Sequence, residues 1–417
     1  MAQTVTTHPS PAPPSNPVSP VRGGYYVFLI IYLVLLSAFG SFVNDMYVPT
    51  LPDMVRSFHA SPSTVQLGLT FGMIGLGVGE LILGPLSDKY GRKPILVGTL
   101  ILFCIGAMCS VWSKTIHVFI WWRLVQGFGA SGGYFLARTI PADLYQGQAL
   151  AKVMALVGAI NGFAPASAPV IGGLVAHSVG WRGIFWILFG FAAMLLIITP
   201  AFRESLPVSR RVKGNFLEAF KNYGILLKNH HFVIHSLLKG CALGVLFAYV
   251  ASIPFIIQTH YGFTQVEFGL FMGVNALFVA SGAMMAVKFK PLKRAAVVSG
   301  RALMVITIVQ LVCLYLVDNV WVYDGLNCLM LFCLGMMFTT ANTLAMNEGR
   351  QYAGDASALV GLAGYIFGAI VSPLVGMGDI LHSTAMVIVI LAAMTLLFTF
   401  LSDKLTDDLE ETSAQKN

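Results

Sequence analysis

The chain has 417 residues, of which 57% are hydrophobic and only 10% are charged. Soluble domains carry roughly 25% charged residues, so this composition excludes an ordinary water-soluble protein. The formal net charge of +7 does not indicate a nucleic-acid-binding protein, because the basic residues are concentrated in loops on one side of the predicted membrane spans.

Residues 1–24 are rich in Pro, Ser and Thr and lack the basic start of a signal peptide, which predicts a disordered tail. Apolar stretches of about 18–25 residues follow, each long enough to cross a membrane. They lie near 25–47, 64–86, 95–112, 116–138, 150–178, 181–202, 232–257, 265–287, 295–317, 321–346, 356–377 and 380–401. The chain is therefore predicted to be an all-α membrane protein with twelve spans. Six lie in 25–202 and six in 232–401, with a central loop at 203–231 and a tail at 402–417.

The distribution of basic residues predicts the orientation, since Lys and Arg are retained on the cytoplasmic side during insertion. Twenty of the 25 Lys and Arg residues fall on the side of both termini, and Arg138, at the end of the fourth span, counts with them. Arg123 and Lys239 lie inside spans. The opposite side holds Arg56, Lys114 and Arg182. We therefore expect both termini in the cytoplasm and a multi-pass protein of the bacterial inner membrane, surrounded by lipid.

An internal repeat is visible between the two groups of six spans. Residues 63–69 read STVQLGL and residues 264–270 read TQVEFGL, with Gly72 and Gly273 following at the same spacing. Two six-helix halves in the same orientation explain this likeness. Chance similarity between apolar segments is the alternative, because Gly and Leu are frequent in this chain.

The first two spans each contain an acidic residue. The segment 43–52 reads VNDMYVPTLP and places Asp45 at the end of the first span. Burial disfavours an ionised carboxyl and a nearby Arg favours it, so Asp45 either binds a proton or caps the span. Glu80 lies among glycines in the second span, where it either faces a cavity or bonds a neighbouring helix.

A charged loop follows the second span. The segment 84–94 reads GPLSDKYGRKP. Asp88 can accept hydrogen bonds from free backbone N–H groups or pair with Arg92, and Gly91 permits a tight turn. A charged turn that merely stops the span is the simpler interpretation.

Arg123 lies inside the fourth span, in the segment RLVQGFGA at 123–130. An Arg inside a span costs roughly 2.5–3.5 kcal/mol on insertion scales and usually faces a partner or a water-filled cavity. Gln126 shares its helix face and is positioned to bond it, while Gly127 and Gly129 admit a close neighbour. Arg123 is therefore a functional candidate, with a structural buried arginine as the alternative.

The fifth span reads GAINGFAPASAPVIGGLV at 158–175. Closely spaced Gly and Pro predict a kinked helix against which neighbours pack tightly. The residues that carry this pattern are Gly158, Gly162, Pro165, Pro169, Gly172 and Gly173.

Lys239 is about seven residues into the seventh span, roughly 10 Å along its axis at 1.5 Å per residue. It either snorkels to the interface or faces a cavity, which would then favour neutral, zwitterionic or anionic compounds. Aromatic and Met side chains along the spans either pack or form an adaptable surface for drugs. They include Phe71, Tyr134, Tyr249, Met272 and Tyr365.

These segments resemble motifs of the drug:proton antiporters of the major facilitator superfamily. Residues 84–94 resemble the superfamily's loop motif G-x-L-[SA]-D-[RK]-x-G-R-[RK], and 123–130 match R-x-x-Q-G-x-G-A. The fifth span resembles the antiporter motif there, with Ala168 in place of a Gly, and 43–52 is similar to the N-D-M-x-x-P element of MdfA-like and Bcr/CflA-type multidrug transporters. The resemblance covers nearly the whole chain and implies the major facilitator fold, with a substrate site between its halves.

The resemblance also implies roles for residues. It makes Asp45 the protonatable carboxylate and Arg123 its electrostatic counterpart. Ser37 stands where the MdfA-like group often has a second acid, so the resemblance does not establish a preference for cationic drugs. The motifs that would govern conformation comprise Gly84, Asp88, Gly91, Arg92, Gly158, Pro165, Pro169, Gly172 and Gly173. We place the substrate cavity at Asn44, Tyr47, Glu80, Gln126, Tyr134 and Tyr249.

The sequence thus predicts a proton-coupled antiporter that exports small amphipathic drugs or toxic compounds by alternating access. The alternatives are an exporter of one metabolite or siderophore and a proton-coupled nutrient importer, although the antiporter-like motifs argue against import. An enzyme is disfavoured because the chain has no H-E-x-x-H and no clustered His and Cys. We expect no metal, no cofactor apart from the proton as coupling ion, no nucleic-acid partner and a monomer.

Overall fold

The computed structural model describes residues 23–211 and 216–414. The predicted tail at 1–24 lies outside these residues apart from its last two. Eleven helical segments in the described chain are long and apolar enough to cross a membrane. The helix Ile116–Leu144, with 29 residues, is long enough to be a twelfth span. It is less apolar than the others because it carries Arg123, Gln126 and Arg138.

The N-terminal half contains the first six predicted spans. Its helices are α1 (Gly24–Asp45), α2 (Leu51–Phe58), α3 (Pro62–Tyr90), α4 (Arg92–Val111), α5 (Ile116–Leu144) and α6 (Gly147–Ile198). Helix α2 is a short extra helix outside the first predicted span. Helix α6 breaks at Gly180, whose φ of 64° is not helical, so it forms two spans. This break lies between the predicted spans 150–178 and 181–202.

The predicted central loop at 203–231 contains a helix, α7 (Phe216–Lys228). Leu226 packs with Phe232 and Val360 of the C-terminal half. Asn222 Nδ2 donates a hydrogen bond to Asp355 Oδ2 at 2.9 Å. The segment is polar overall, but its apolar residues recur at helical spacing and one face can be buried.

The C-terminal half contains the last six spans. Its helices are α8 (His230–Phe255), α9 (Gln265–Ala286), α10 (Lys293–Leu316), α11 (Val320–Glu348), α12 (Ala353–Leu374) and α13 (Ile380–Ala414). Side chains cap several of these helices. Thr264 and Glu267 form a reciprocal capping box at α9, and the Asn319 side chain accepts from the first turn of α11. Such caps satisfy backbone N–H groups that have no partner within the helix.

The two halves are joined at the end of the bundle where α1 ends and α3 begins, which we call the distal end. Gln66 Nε2 donates to the Ala251 oxygen at 2.9 Å, and Ser63 Oγ donates to the Pro373 oxygen at 2.9 Å. Gln258 Nε2 of α8's extension donates to an oxygen of the α1–α2 connection at 2.8 Å. The opposite end, where α3 ends and α8 begins, is the proximal end and carries α7.

Candidate substrate and proton site

Arg123 of α5 is the largest fully buried side chain of the described residues. Its Nε donates to the Gly68 oxygen at 3.3 Å. One terminal nitrogen donates to the Val43 oxygen at 3.4 Å and to Asn44 Oδ1 at 3.3 Å, and the other donates to Gln126 Oε1. Because acceptors from α1, α3 and α5 surround it, the buried guanidinium has the hydrogen bonds that a buried charge requires.

Aromatic rings and a glycine complete these surroundings. The Arg123 Cζ lies 4.5 Å from the ring centroid of Tyr47 and 5.7 Å from that of Phe185, within the range of cation–π interactions. A Cβ at Gly72 would lie 2.8 Å from an Arg123 terminal nitrogen, so glycine makes room for the guanidinium. Arg123 therefore ties α1, α3 and α5 together from within.

Asp45 is the last residue of α1 and is half-buried. Its carboxyl interacts electrostatically with Arg123. It also lies within electrostatic range of the Tyr134 and Tyr365 hydroxyls, from α5 and α12. Since neutral acceptors already satisfy Arg123, the guanidinium does not require an ionised Asp45. Asp45 and Arg123, predicted as a pair, thus lie within electrostatic range of each other. The Asp45 carboxyl is in a position to gain or lose a proton while Arg123 keeps its hydrogen-bond acceptors.

A second charged group lies further along α3 and α5. Glu80 is buried, and its Oε1 accepts from an Arg138 terminal nitrogen at 3.1 Å. The Arg138 Cζ also lies 4.4 Å from the ring centroid of Tyr134. The sequence predicts Arg138 on the cytoplasmic side of the spans, but α5 continues to Leu144 and Arg138 lies inside the bundle. A buried carboxylate requires such a partner, and this one comes from the neighbouring helix.

Lys239 of α8 faces the N-terminal half. It is half-buried, and its Nζ donates to Asn342 Oδ1 of α11 at 2.6 Å. It interacts electrostatically with Glu80 and Arg138. This placement agrees with the cavity-facing alternative for Lys239 and not with snorkelling to the interface. Asp45, Glu80, Arg138 and Lys239 therefore lie where the two halves face each other.

Tyr249 does not join this group. It is buried inside the C-terminal half, where Asn275 Nδ2 donates to its hydroxyl at 2.8 Å. The same Asn275 nitrogen donates to Asp324 Oδ1 at 2.8 Å, and the Cys328 thiol donates to Asn275 Oδ1 at 2.9 Å. Asp324 is a buried acid of α11 that the sequence analysis did not single out. These side chains form a polar network in the core of the C-terminal half.

Comparison with known proteins decides the family. The model of the Major Facilitator Superfamily matches residues 33–373. The chain belongs to this superfamily. The predicted fold class and family are thereby confirmed, and the protein is a multi-pass membrane transporter, not an enzyme.

Several relatives of this superfamily member are bacterial. It is 34% identical over 365 residues to the uncharacterized MFS-type transporter YdgK of Bacillus subtilis, covering 84% of this chain and 89% of the relative. It is 27% identical to multidrug resistance protein D of Escherichia coli, over 80% of this chain and 85% of the relative. It is 28% identical to the bicyclomycin resistance protein homolog of Haemophilus influenzae, over 83% and 88%.

Solved structures share the fold. A bacterial homolog of the human lysosomal transporter Spinster, in an inward-facing and unoccupied conformation, superposes with a TM-score of 0.74 at 14% identity. The alignment covers 92% of this chain and 98% of the other. The xylose transporter XylE from E. coli, in a partially occluded inward-open conformation, gives a TM-score of 0.70 at 14% identity over 91% and 98%.

The loop motif of this major facilitator chain is held by Arg92. Its guanidinium pairs with Asp88 at 2.6 Å and with Asp143 of α5 at 2.9 Å. Gly91 has a φ of 101°, a conformation that side chains disfavour, so the glycine is required for the turn. Gly84 lies within α3, one turn before Asp88. The Asp88–Arg92 pair expected from the sequence is present, and Asp143 is an additional partner.

The glycines of the fifth-span motif differ in how closely neighbouring segments pack against them. A Cβ at Gly172 would lie 2.0 Å from the Met46 oxygen, and one at Gly173 would lie 2.3 Å from the Gln265 oxygen of the other half. Gly158, by contrast, has nothing within 4 Å of such a Cβ. Pro165 and Pro169 both lie within α6. Close packing therefore depends on the distal part of the motif, at the contact between halves.

The Asp324 network leads to a prediction about stability. Asp324→Leu removes one of two acceptors of the buried Asn275 amide, and losing a buried partner costs about 1–3 kcal/mol. Asp324→Asn retains an acceptor oxygen. We expect the leucine variant to unfold at a clearly lower temperature in detergent than the asparagine variant. Equal melting temperatures of the two variants would contradict this role of Asp324.

Proposed function

We propose that this transporter exports small amphipathic drugs or toxic compounds from the cytoplasm in exchange for protons, by alternating access. The observation that carries the proposal is the pair of carboxyls, Asp45 and Glu80, each facing a guanidinium between two six-helix halves. A carboxyl whose ionised form is disfavoured by burial and favoured by an arginine is sensitive to its surroundings. Binding of a compound or opening of the cavity then alters proton occupancy.

The names of two relatives support the class of substrate. They are a multidrug resistance protein and a bicyclomycin resistance protein homolog. The aromatic rings of Tyr134 and Tyr365 beside the charged groups offer an apolar surface for amphipathic compounds. We place the transporter in the bacterial inner membrane as a monomer with both termini in the cytoplasm, which puts the proximal end on the cytoplasmic side.

Energetically, one proton for each exported compound suffices. Moving one elementary charge across 100 mV releases about 2.3 kcal/mol. At about 1.4 kcal/mol for each factor of ten, this energy sustains a concentration ratio of roughly 50 for a neutral compound. No further energy source is needed to maintain a concentration ratio of that size.

Everted membrane vesicles test the proposal. Vesicles energised to be acidic inside should accumulate a fluorescent amphipathic drug, and a protonophore should release it. Asp45→Asn cannot ionise and should lower proton-driven accumulation at least tenfold, because the coupling carboxyl is lost. The half-buried carboxyl of Asp53, which accepts a hydrogen bond from Gln265 at the distal end, provides a contrast: Asp53→Asn should retain proton dependence. Undiminished accumulation in Asp45→Asn vesicles would refute the assigned role.

A further inference from the structure

Glu80 lies at the contact between the two halves. Its partner Arg138 belongs to the same half, on α5, and bonds it at 3.1 Å. Gly361 of α12, in the other half, lies so close that a Cβ there would be 3.2 Å from Glu80 Oε2. Lys239, also in the other half, interacts electrostatically with Glu80. One buried carboxylate therefore faces cations from both halves.

Two cations, Arg138 and Lys239, face the single carboxyl of Glu80. Arg138 stacks on the Tyr134 ring, and Lys239 donates to Asn342, whose amide is neutral. The two cations interact electrostatically with each other as well as with Glu80. The titratable and charged groups that face Glu80 from the packed helices are Tyr134, Arg138, Tyr223, Lys239 and Tyr365. Glu80 is the acidic member of this set, so its ionisation decides whether the halves attract or repel here.

The depth of Glu80 and Lys239 in the bundle determines which end of the two halves their attraction would draw together. Glu80 precedes the end of α3 at Tyr90 by about 15 Å, at 1.5 Å per residue. Lys239 follows the start of α8 at His230 by about 14 Å on the same measure. Both side chains are thus at similar depth, nearer the proximal end than the contacts at the distal end. Attraction between them draws the proximal ends together, and repulsion separates them.

We propose that Glu80 is a proton-operated switch between the two halves, with Lys239 as its partner across the cavity. Ionised Glu80 attracts Lys239 and favours closure of the proximal end. Protonated Glu80 leaves Arg138 and Lys239 facing each other without compensation, which favours an open proximal end. The role of this switch in transport rests on the proposed function, since an exporter driven by protons must open to the cytoplasm when protonated and close after losing the proton.

Distance measurements between spin labels test the switch without any transported compound. Lys152 of α6 and Lys288 after α9 are exposed at the proximal ends of different halves. All six native cysteines are buried or half-buried, so labels at Lys152→Cys and Lys288→Cys react preferentially. In the parent protein, acidification should shift the distance distribution towards longer separations.

Two variants, one in each half, decide the outcome. Glu80→Gln mimics the protonated acid and should give the long separation at both neutral and acidic pH. Lys239→Gln retains a polar group beside Asn342 and should reduce the acid-induced shift at least threefold. Glu348→Gln removes an exposed carboxyl near the same end and should respond to pH like the parent protein. A parent-like shift in Glu80→Gln would overturn the proposal, and a parent-like shift in Lys239→Gln would overturn the role of Lys239 as its partner.

The same samples separate this inference from the proposed function. If Glu80→Gln is insensitive to pH while the reconstituted parent moves drugs without protons, the switch stands and the proposed coupling fails. If the parent exchanges drugs for protons but Glu80→Gln keeps the full shift, the coupling stands and the switch fails.

Discussion

Gly127→Ala should remove folded transporter from the membrane, whereas Gly98→Ala should leave its amount unchanged or raised. A Cβ at Gly127 would lie 2.1 Å from the Gly72 oxygen of α3, and a backbone atom cannot rotate away. Helices α3 and α5 would have to separate. Gly98 of α4 has nothing within 4 Å of such a Cβ. There, alanine only adds helix propensity, worth up to about 1 kcal/mol over glycine.

The size of the effect at Gly127 follows from core packing. Overpacking a dense core typically costs about 1–3 kcal/mol, and contact with backbone places this substitution at or above the upper limit. Separation of α3 from α5 would also pull Arg123 away from the Gly68 oxygen on α3. Fluorescence-detected size-exclusion chromatography of tagged variants measures the folded fraction. Equal monodisperse peaks for the two variants would show that the α3–α5 crossing accommodates a methyl group at Gly127.

Arg123→Lys should abolish drug exchange and lower thermal stability, although it conserves the charge. The guanidinium donates to oxygens of Gly68, Val43, Asn44 and Gln126 in different directions. A lysine ammonium is a point donor on a flexible chain and cannot reproduce this fork. Each buried acceptor left without a donor costs about 1–3 kcal/mol.

Arg182→Lys is the matched control for this substitution. Arg182 also donates to backbone oxygens, those of Val111 and Ser113, and stacks over Trp181. Its side chain is exposed, however, so water can satisfy those oxygens. We expect a melting temperature close to the parent value for Arg182→Lys and a decrease of several degrees for Arg123→Lys. Identical melting and exchange in the two variants would argue against the structural role of Arg123.

The sequence indicated the groups around Arg123 because their spacing lies within single helices. Arg123 and Gln126 are three residues apart on one helix, and Asn44 precedes Asp45 directly. Such relations follow from helical periodicity. The sequence could not show that Arg123 would find most of its acceptors on other helices, because crossing positions depend on packing. Gly72, which admits the guanidinium, therefore carried no separate signal.

Arg138 and Asp324 were missed for a related reason. Both lie close to the ends of apolar segments, where hydropathy cannot distinguish a residue in water from one inside the bundle. Helix α5 extends beyond its predicted end at 138 to Leu144, which turns Arg138 inwards to Glu80. Glu80 could have indicated that Arg138 points inwards, since a buried carboxylate requires a cation or a proton. Helix α7 was likewise hidden in a segment that is polar overall.

The twelve-span prediction and the two-half organisation depended on composition, and hydropathy alone was enough for most spans. Helix α5 is the exception, because the polar residues Arg123, Gln126 and Arg138 make it less apolar. Its predicted span at 116–138 was nevertheless placed from its apolar residues, and the helix extends beyond that span to Leu144. The helix that carries the buried Arg123 is thus the one that hydropathy indicates most weakly.

Exchange in proteoliposomes tests the central claim most directly. Purified transporter is reconstituted with a trapped pH dye, and a fluorescent amphipathic drug is followed on the same sample. An imposed pH gradient should drive the drug uphill towards the acidic side, and reversing the gradient should reverse the movement. Drug addition without a gradient should produce a matching proton flux in the opposite direction. Drug movement that only dissipates its own gradient, with no proton flux above that of empty liposomes, would contradict proton-coupled export.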